Sequence, residues 1–216
     1  MSNPVFFLSS FSEVVPLAAG LFTWRYLTLE MKVFFAFLLI AQMSDLAMAA
    51  LATRHINNLW LTHVFVILEY AFFAWLFASW QKSEWFKKIL LLSIPGLLLL
   101  GIVSAFYLEN VSSFNTITRP LASLLIVIIS AYTLLTLSRS HIDSLFRETR
   151  FWISAAALLY FASSLAVVSL SNIIMGLPAE QSRQLFAVHA ILNMIANIGY
   201  AGGFLCLIPP KKPGAL

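Results

Sequence analysis

The sequence predicts an all-α membrane protein built as a bundle of seven transmembrane helices. Hydrophobic residues make up 61% of its 216 residues, charged residues only 10%, and its mean hydropathy is +0.90. In an average soluble domain about a quarter of the residues are charged. The apolar residues also form long blocks separated by short polar connections, as in chains that cross a membrane repeatedly. This composition excludes a soluble enzyme, a nucleic-acid-binding protein and a disordered chain.

Each predicted span is about 20 to 24 residues long, which is enough to cross a hydrocarbon core of about 30 Å. The spans are residues 5–24, 31–53, 59–80, 85–108, 116–137, 151–172 and 185–208. They leave only short connections, so we expect residues 1–216 to form a single transmembrane domain with no soluble domain.

The distribution of lysine and arginine predicts the orientation of the bundle. Of the 13 basic residues, ten fall at one end of the spans and three at the other. The ten are Arg25, Lys32, Lys82, Lys87, Lys88, Arg139, Arg147, Arg150, Lys211 and Lys212, and the three are Arg54, Arg119 and Arg183. Because positive charge favours the cytoplasmic side, the N-terminus is predicted outside and the C-terminus inside.

Short sequence matches suggest an internal repeat. Pro-Leu-Ala at residues 16–18 recurs at residues 120–122, and the third and seventh spans both begin with Leu-x-x-x-His, which ends at His63 and His189. This pattern suggests a 3+1+3 pseudo-repeat in which the fourth span connects two three-helix halves. Parallel repeats of this kind occur in transporters.

Ionisable and amide side chains inside the spans are the candidate site. A charged group near the bilayer centre costs about 2.5 to 3.5 kcal/mol, so it usually faces the bundle interior. On the seventh span the polar positions follow i, i+4, i+8 and i+11, which places them on one helix face. We expect one outward-facing cavity that binds a ligand or carries protons, formed by Glu13, Asp45, His63, Glu69, Tyr70, Arg119, His189, Asn193, Asn197 and Tyr200.

Several of these residues also have structural interpretations. Arg119 precedes a proline at a helix start, which favours an interfacial position with the side chain extended toward water. It could instead form an ion pair with Glu13 and Asp45. Asparagine within a span often does no more than hydrogen-bond a neighbouring helix. Glu69 lies near the middle of its span, so we expect it to line a cavity or carry a proton.

The sequence predicts no cofactor. A metal site is an alternative, for which His63, His189 and Glu69 are weak candidate ligands with Glu13 or Asp45 beside them. Their spacing matches no metal-binding motif, and the His-x-x-x-His of seven-helix hydrolases of the ceramidase and progestin-receptor type is absent because residue 193 is asparagine. Retinal is excluded because residues 185–208 contain no lysine for a Schiff base.

Two short motifs carry a family resemblance. Asn-Leu-Trp at residues 58–60 leads into His63 and Glu69-Tyr70, and Phe-Trp-Ile at residues 151–153 precedes Tyr160-Phe161. This pattern resembles uncharacterised seven-helix inner-membrane proteins of bacteria over most of the chain. The resemblance implies a seven-helix bundle in a bacterial cytoplasmic membrane, and it implies no biochemical activity.

Three functions fit these observations. The leading interpretation is a transporter of a small solute, with proton coupling through buried carboxyl groups. A receptor-like sensor is the second, and it would signal through a cytoplasmic partner docked on the basic segment from Arg139 to Arg150. An intramembrane metal-dependent enzyme is the third, and the sequence favours a function other than catalysis. The expected partners are the lipid bilayer and a small ligand whose identity the sequence does not reveal, with no nucleic acid.

Overall fold

The computed structural model describes residues 4–108, 115–139 and 144–209, so the predicted basic residues Lys211 and Lys212 lie outside the described residues. It contains seven helices that are long and apolar enough to cross a membrane. They are Pro4–Phe22, Leu29–Thr53, Leu59–Trp80, Glu84–Leu108, Thr118–Ser138, Thr149–Ser169 and Ala179–Leu205. The predicted all-helical class and the seven spans are confirmed, and the chain is an integral membrane protein.

In the described part of the chain, nine α-helices make up these spans and their connections. They are α1 Pro4–Ser12, α2 Val14–Phe22, α3 Leu29–Thr53, α4 Leu59–Trp80, α5 Glu84–Val103, α6 Thr118–Ser138, α7 Thr149–Ser169, α8 Ser171–Gly176 and α9 Ala179–Leu205. A π-helical turn, Ser104–Leu108, extends α5. The seventh span begins at Ala179, six residues before the predicted start, because Pro178 precedes it and Glu180 complements the N-terminal dipole of the first turn.

The first span is divided at Glu13, between α1 and α2. Pro16 has no backbone N–H, so it cannot donate to the carbonyl four residues earlier, at Ser12. The next helical hydrogen bond, from Leu17 N to Glu13 O, is long at 3.5 Å. The break in the helix therefore follows from the proline, and it places a carboxyl-bearing residue at the interruption.

Six of the spans form a ring in the order α1/α2, α3, α4, α6, α7 and α9, with α9 packing back against α1 and α2. The fifth helix, α5, lies outside this ring and packs mainly against α4. Helices α7 and α9 approach closely, since a Cβ added at Gly199 would lie only 2.9 Å from the Cβ of Ala156. Small residues at this interface let the two backbones approach, as is common between membrane helices.

Aromatic side chains fill the half of the bundle that contains the start of α3 and the end of α9. Phe34 is fully buried, and its ring packs against Phe73 of α4 and against Tyr200 and Phe204 of α9. By contrast, large apolar side chains such as Phe22 and Leu92 are at least 70% exposed on the outside of the bundle. An exposed apolar exterior of this kind is suited to contact with lipid.

Candidate functional site

Two polar cavities lie next to each other inside the ring. The first, called the deep cavity, has a volume of about 60 Å³ and is lined by Glu13, Asp45, Glu69, Tyr160, Asn193, Asn197 and Tyr200 together with apolar side chains. The second, called the wide cavity, has a volume of about 490 Å³ and lies nearer the start of α1 and α9. Both are lined by Glu13, Asp45, Tyr160 and Asn193, so the wide cavity leads to the deep one.

The size and lining of the deep cavity limit what it can hold. A cavity needs about 10–15 Å³ of such space to hold one water, so the deep cavity, at about 60 Å³, has room for a small cluster of waters. Its apolar wall includes the rings of Phe37, Phe65 and Phe73. The deep cavity thus combines carboxyl groups with aromatic faces, two chemistries that each attract cations.

Glu69 and Arg119 form an ion pair between α4 and α6, with 2.6 Å between Oε2 and Nη1. Their side chains are 7% and 17% exposed. The guanidinium also donates from Nη2 to the Tyr160 hydroxyl at 3.2 Å and from Nε to the Ser164 hydroxyl at 3.4 Å, both on α7. Arg119 therefore connects three helices, and the desolvation of both charges is offset by pairing and hydrogen bonds.

This geometry corrects both expectations for Arg119. Its side chain points into the bundle, where Glu69, Tyr160 and Ser164 accept hydrogen bonds from it, and not along the interface. Its ion-pair partner is Glu69 and not Glu13 or Asp45. The first turn of α6 explains the position, because the Asn115 side chain accepts from the Arg119 backbone N–H at 2.8 Å and fixes the start of the helix.

The carboxyl groups of Glu13 and Asp45 line both cavities and are close enough to interact electrostatically with each other. Glu13 comes from the break between α1 and α2, and Asp45 comes from the middle of α3. The Glu13 Oε2 atom is buried and has no hydrogen-bond partner among the described residues. Two carboxyl groups in contact are most stable when they share a proton, because two negative charges at this distance repel each other.

The polar residues of α9 lie on one helix face, as their spacing predicts. This polar stripe contacts α1. Asn193 Nδ2 donates to the Ser9 hydroxyl at 3.0 Å, and Asn197 Nδ2 donates to the Ser12 hydroxyl at 2.8 Å. Both asparagines also line the deep cavity, so they connect helices and face the site at once. Tyr200 lies one turn further along the same stripe and is buried.

His189 lines the wide cavity, where its Nδ1 lies 2.9 Å from the Ser163 hydroxyl of α7. Two other predicted residues are placed elsewhere. His63 is half-buried and lines neither cavity, and the Tyr70 hydroxyl lies 2.6 Å from the Ser93 hydroxyl, where it connects α4 to α5. The structure therefore brings together eight of the ten predicted site residues around the two cavities and the ion pair, and leaves these two aside.

Within residues 4–108, 115–139 and 144–209, no group of three or more His, Cys, Asp or Glu side chains is arranged to hold a metal ion. Of the candidate ligands, Glu69 is held by Arg119, while His63 does not line the wide cavity that His189 borders. A metal site stays a prediction of the sequence alone.

Tyr160 is the main site residue that the sequence analysis did not select. It lines both cavities, accepts a hydrogen bond from Arg119, and its ring centroid is 5.7 Å from that of His189. The signal available was the polar face that Tyr160 forms with Ser163 and Ser164 on one helix, at i, i+3 and i+4. Small and hydroxylated side chains on such a face suit close helix packing, and here the face also forms the wall of the site.

Comparison with known proteins adds no family to this description, since no family model, no curated protein and no solved structure matches the chain. Any functional conclusion therefore depends on the geometry of the two cavities.

Proposed function

We propose that this protein is a carrier that exchanges protons for a small cationic solute across the membrane, with Glu13 and Asp45 as the groups that bind both in turn. The observation that supports this most directly is the charge balance of the deep cavity. Three carboxyl groups line it, and Glu69 is already paired with Arg119. Glu13 and Asp45 remain, and they require protons or a cation to offset their charge.

The surroundings of Glu13 and Asp45 favour the exchange of protons and cations over a permanent structural role for this carboxyl pair. The arginine that lines the wide cavity, Arg183, is half exposed and is paired with Glu180. A cation that enters the wide cavity would meet Asp45 and Glu13 next, and the aromatic rings beside them would stabilise an organic cation further. A proton released from the carboxyl pair could leave by the same route.

The ring of helices supports the proposed 3+1+3 repeat. The ring runs through α1/α2, α3 and α4 and then through α6, α7 and α9. The two three-helix halves therefore follow the ring in the same direction, and α5 lies outside it as the connector. In carriers built from repeats, the binding site lies near the midplane between the halves. We further propose that the wide cavity opens to the outside and that the membrane is a bacterial cytoplasmic membrane.

The function is tested in proteoliposomes that contain a pH-sensitive dye. Adding tetramethylammonium, guanidinium or sodium chloride outside is expected to make the lumen more alkaline for at least one cation, because a proton leaves as the cation enters. Asp45→Asn is expected to abolish the response. If none of the three cations causes proton movement, the proposal is contradicted. Binding of a cation without its transport would support a sensor instead.

The orientation is tested by labelling single cysteines in intact cells. Cys206→Ser removes the native thiol, and the exposed residues Arg54 and Arg139 are each replaced by cysteine. Position 54 is expected to react with a membrane-impermeant maleimide from outside, and position 139 only after permeabilisation. The reverse pattern would place the wide cavity on the cytoplasmic side.

A further inference from the structure

A third polar cavity lies at the opposite end of the bundle from the wide cavity. It is formed where the connection between α4 and α5 meets the end of α6 and the start of α7, and its volume is about 430 Å³. Its polar lining consists of Gln81, Lys82, Ser83, Tyr132, Thr136 and Arg150. We call it the basic cavity, because two of these side chains are cationic and no described carboxylate lines it.

The two cations are placed to receive a ligand. Arg150 is half-buried, and its Nε donates to Glu148 Oε1 at 2.5 Å, which fixes the guanidinium group. Lys82 is exposed and forms no ion pair with any described residue. The connection between α4 and α5 that carries Lys82 is held by Gln81, whose Nε2 donates to the Thr133 hydroxyl of α6 at 3.3 Å. Lys82 therefore brings an unpaired positive charge to the cavity, and Arg150 brings a guanidinium with further N–H donors, beside hydroxyl and amide groups that can also donate hydrogen bonds.

The cavity is continuous with the surface that faces lipid. On α6, Tyr132 lines the cavity and is 40% exposed, and Ile128 and Leu135 are more than half exposed on the same helix face, at i−4 and i+3. Trp80 also lines the cavity, as aromatic residues do at the level of lipid headgroups. A molecule with a negative headgroup and apolar tails would fit this arrangement along its whole length.

We propose that the basic cavity binds the phosphate of an anionic phospholipid, whose acyl chains lie against the exposed face of α6. A phosphate diester supplies several hydrogen-bond acceptors to the lysine, the arginine and the neighbouring hydroxyl groups. Basic pockets between transmembrane helices are suited to such headgroups. The apolar stripe favours a lipid over free phosphate. This site is separate from the deep and wide cavities and does not depend on the proposed carrier function.

The test is native mass spectrometry of the full-length protein released from bilayers of phosphatidylglycerol and phosphatidylcholine in equal amounts with identical acyl chains. The wild type is expected to retain phosphatidylglycerol preferentially. Lys82→Gln and Arg150→Gln are each expected to lower that preference about fivefold, since each basic residue near the surface contributes a similar attraction. The double variant is expected to lose nearly all of the preference.

The matched control is the double variant Lys88→Gln/Arg139→Gln, which removes the same charge from exposed positions that do not line the cavity. It is expected to keep the preference, and an equal loss in the control would overturn the proposal in favour of general surface attraction. Displacement of the bound lipid by inorganic phosphate would also overturn it, because the site would then belong to the free anion. Should Arg150→Gln fail to fold, the pair Lys82→Gln and Lys82→Arg still decides the result, since only the second is expected to retain the preference.

Discussion

Arg119→Met is expected to lower the free energy of unfolding by about 3–5 kcal/mol, because it leaves the Glu69 carboxylate buried without its partner. The loss should exceed that of a single hydrogen bond, since the guanidinium also donates to Tyr160 and Ser164. The measurement is equilibrium unfolding of the purified protein in detergent micelles. Arg54→Met is the control, because Arg54 is exposed near the same end of the bundle and its loss should change stability by no more than about 0.5 kcal/mol.

The double variant Glu69→Met/Arg119→Met separates pairing from packing. It removes both charges at once, so no unpaired ion remains in the bundle, and it should be more stable than Arg119→Met alone. A double variant as unstable as the single one would show that the side chains act through shape and not through charge. Wild-type stability in Arg119→Met would contradict the ion pair itself.

The sequence predicted the seven spans because long apolar blocks and short polar connections depend only on local composition. The bounds shifted where a proline acts: Pro178 starts α9 earlier than the apolar block does, and Pro16 divides the first span. The stripe of Asn193, Asn197 and Tyr200 was also predictable, since the period of one helix fixes which of its residues share a face.

The partners across helices were not predictable from one sequence. Glu69 and Arg119 are 50 positions apart, and their pairing depends on how α4 and α6 rotate about their axes. The same rotation decides which histidine reaches the site. His63 and His189 end the same Leu-x-x-x-His pattern, yet only His189 borders a cavity, because α9 packs closely against α7 while His63 lies on a different face of α4.

Asp45→Asn and Glu13→Gln are each expected to remove a proton-binding carboxyl from the site and to abolish proton exchange. The two carboxyl groups lie together, one Glu13 oxygen has no partner among the described residues, and no described ion pair offsets either charge. Glu69, in contrast, is held by Arg119. A carboxyl group that must gain and lose a proton during transport is better suited to this role without an ion-pair partner, as in Glu13 and Asp45, than in a stable ion pair.

Infrared spectroscopy tests this without knowledge of the solute. A protonated carboxyl has a carbonyl stretching band that a carboxylate lacks, and a pair that shares one proton should give this band at neutral pH. The double variant Glu13→Gln/Asp45→Asn should remove the band, because it removes both carboxyl groups that can hold the proton. In either single variant the remaining carboxyl is still buried without a counter-charge, so it should keep a band at a changed frequency. Glu69→Gln should retain the band while lowering stability, since Arg119 then lacks its counter-charge.

The opposite result would be equally informative about the carrier. A band that persists in Glu13→Gln/Asp45→Asn and disappears in Glu69→Gln would assign the proton to Glu69, the residue that hydropathy alone singled out, and would require the ion pair with Arg119 to open during transport. Loss of exchange in Glu69→Gln with the band intact would instead assign Glu69 and Arg119 to positioning α4, α6 and α7 around the site. The two measurements together therefore distinguish a carboxyl that carries the proton from one that fixes the helices around it.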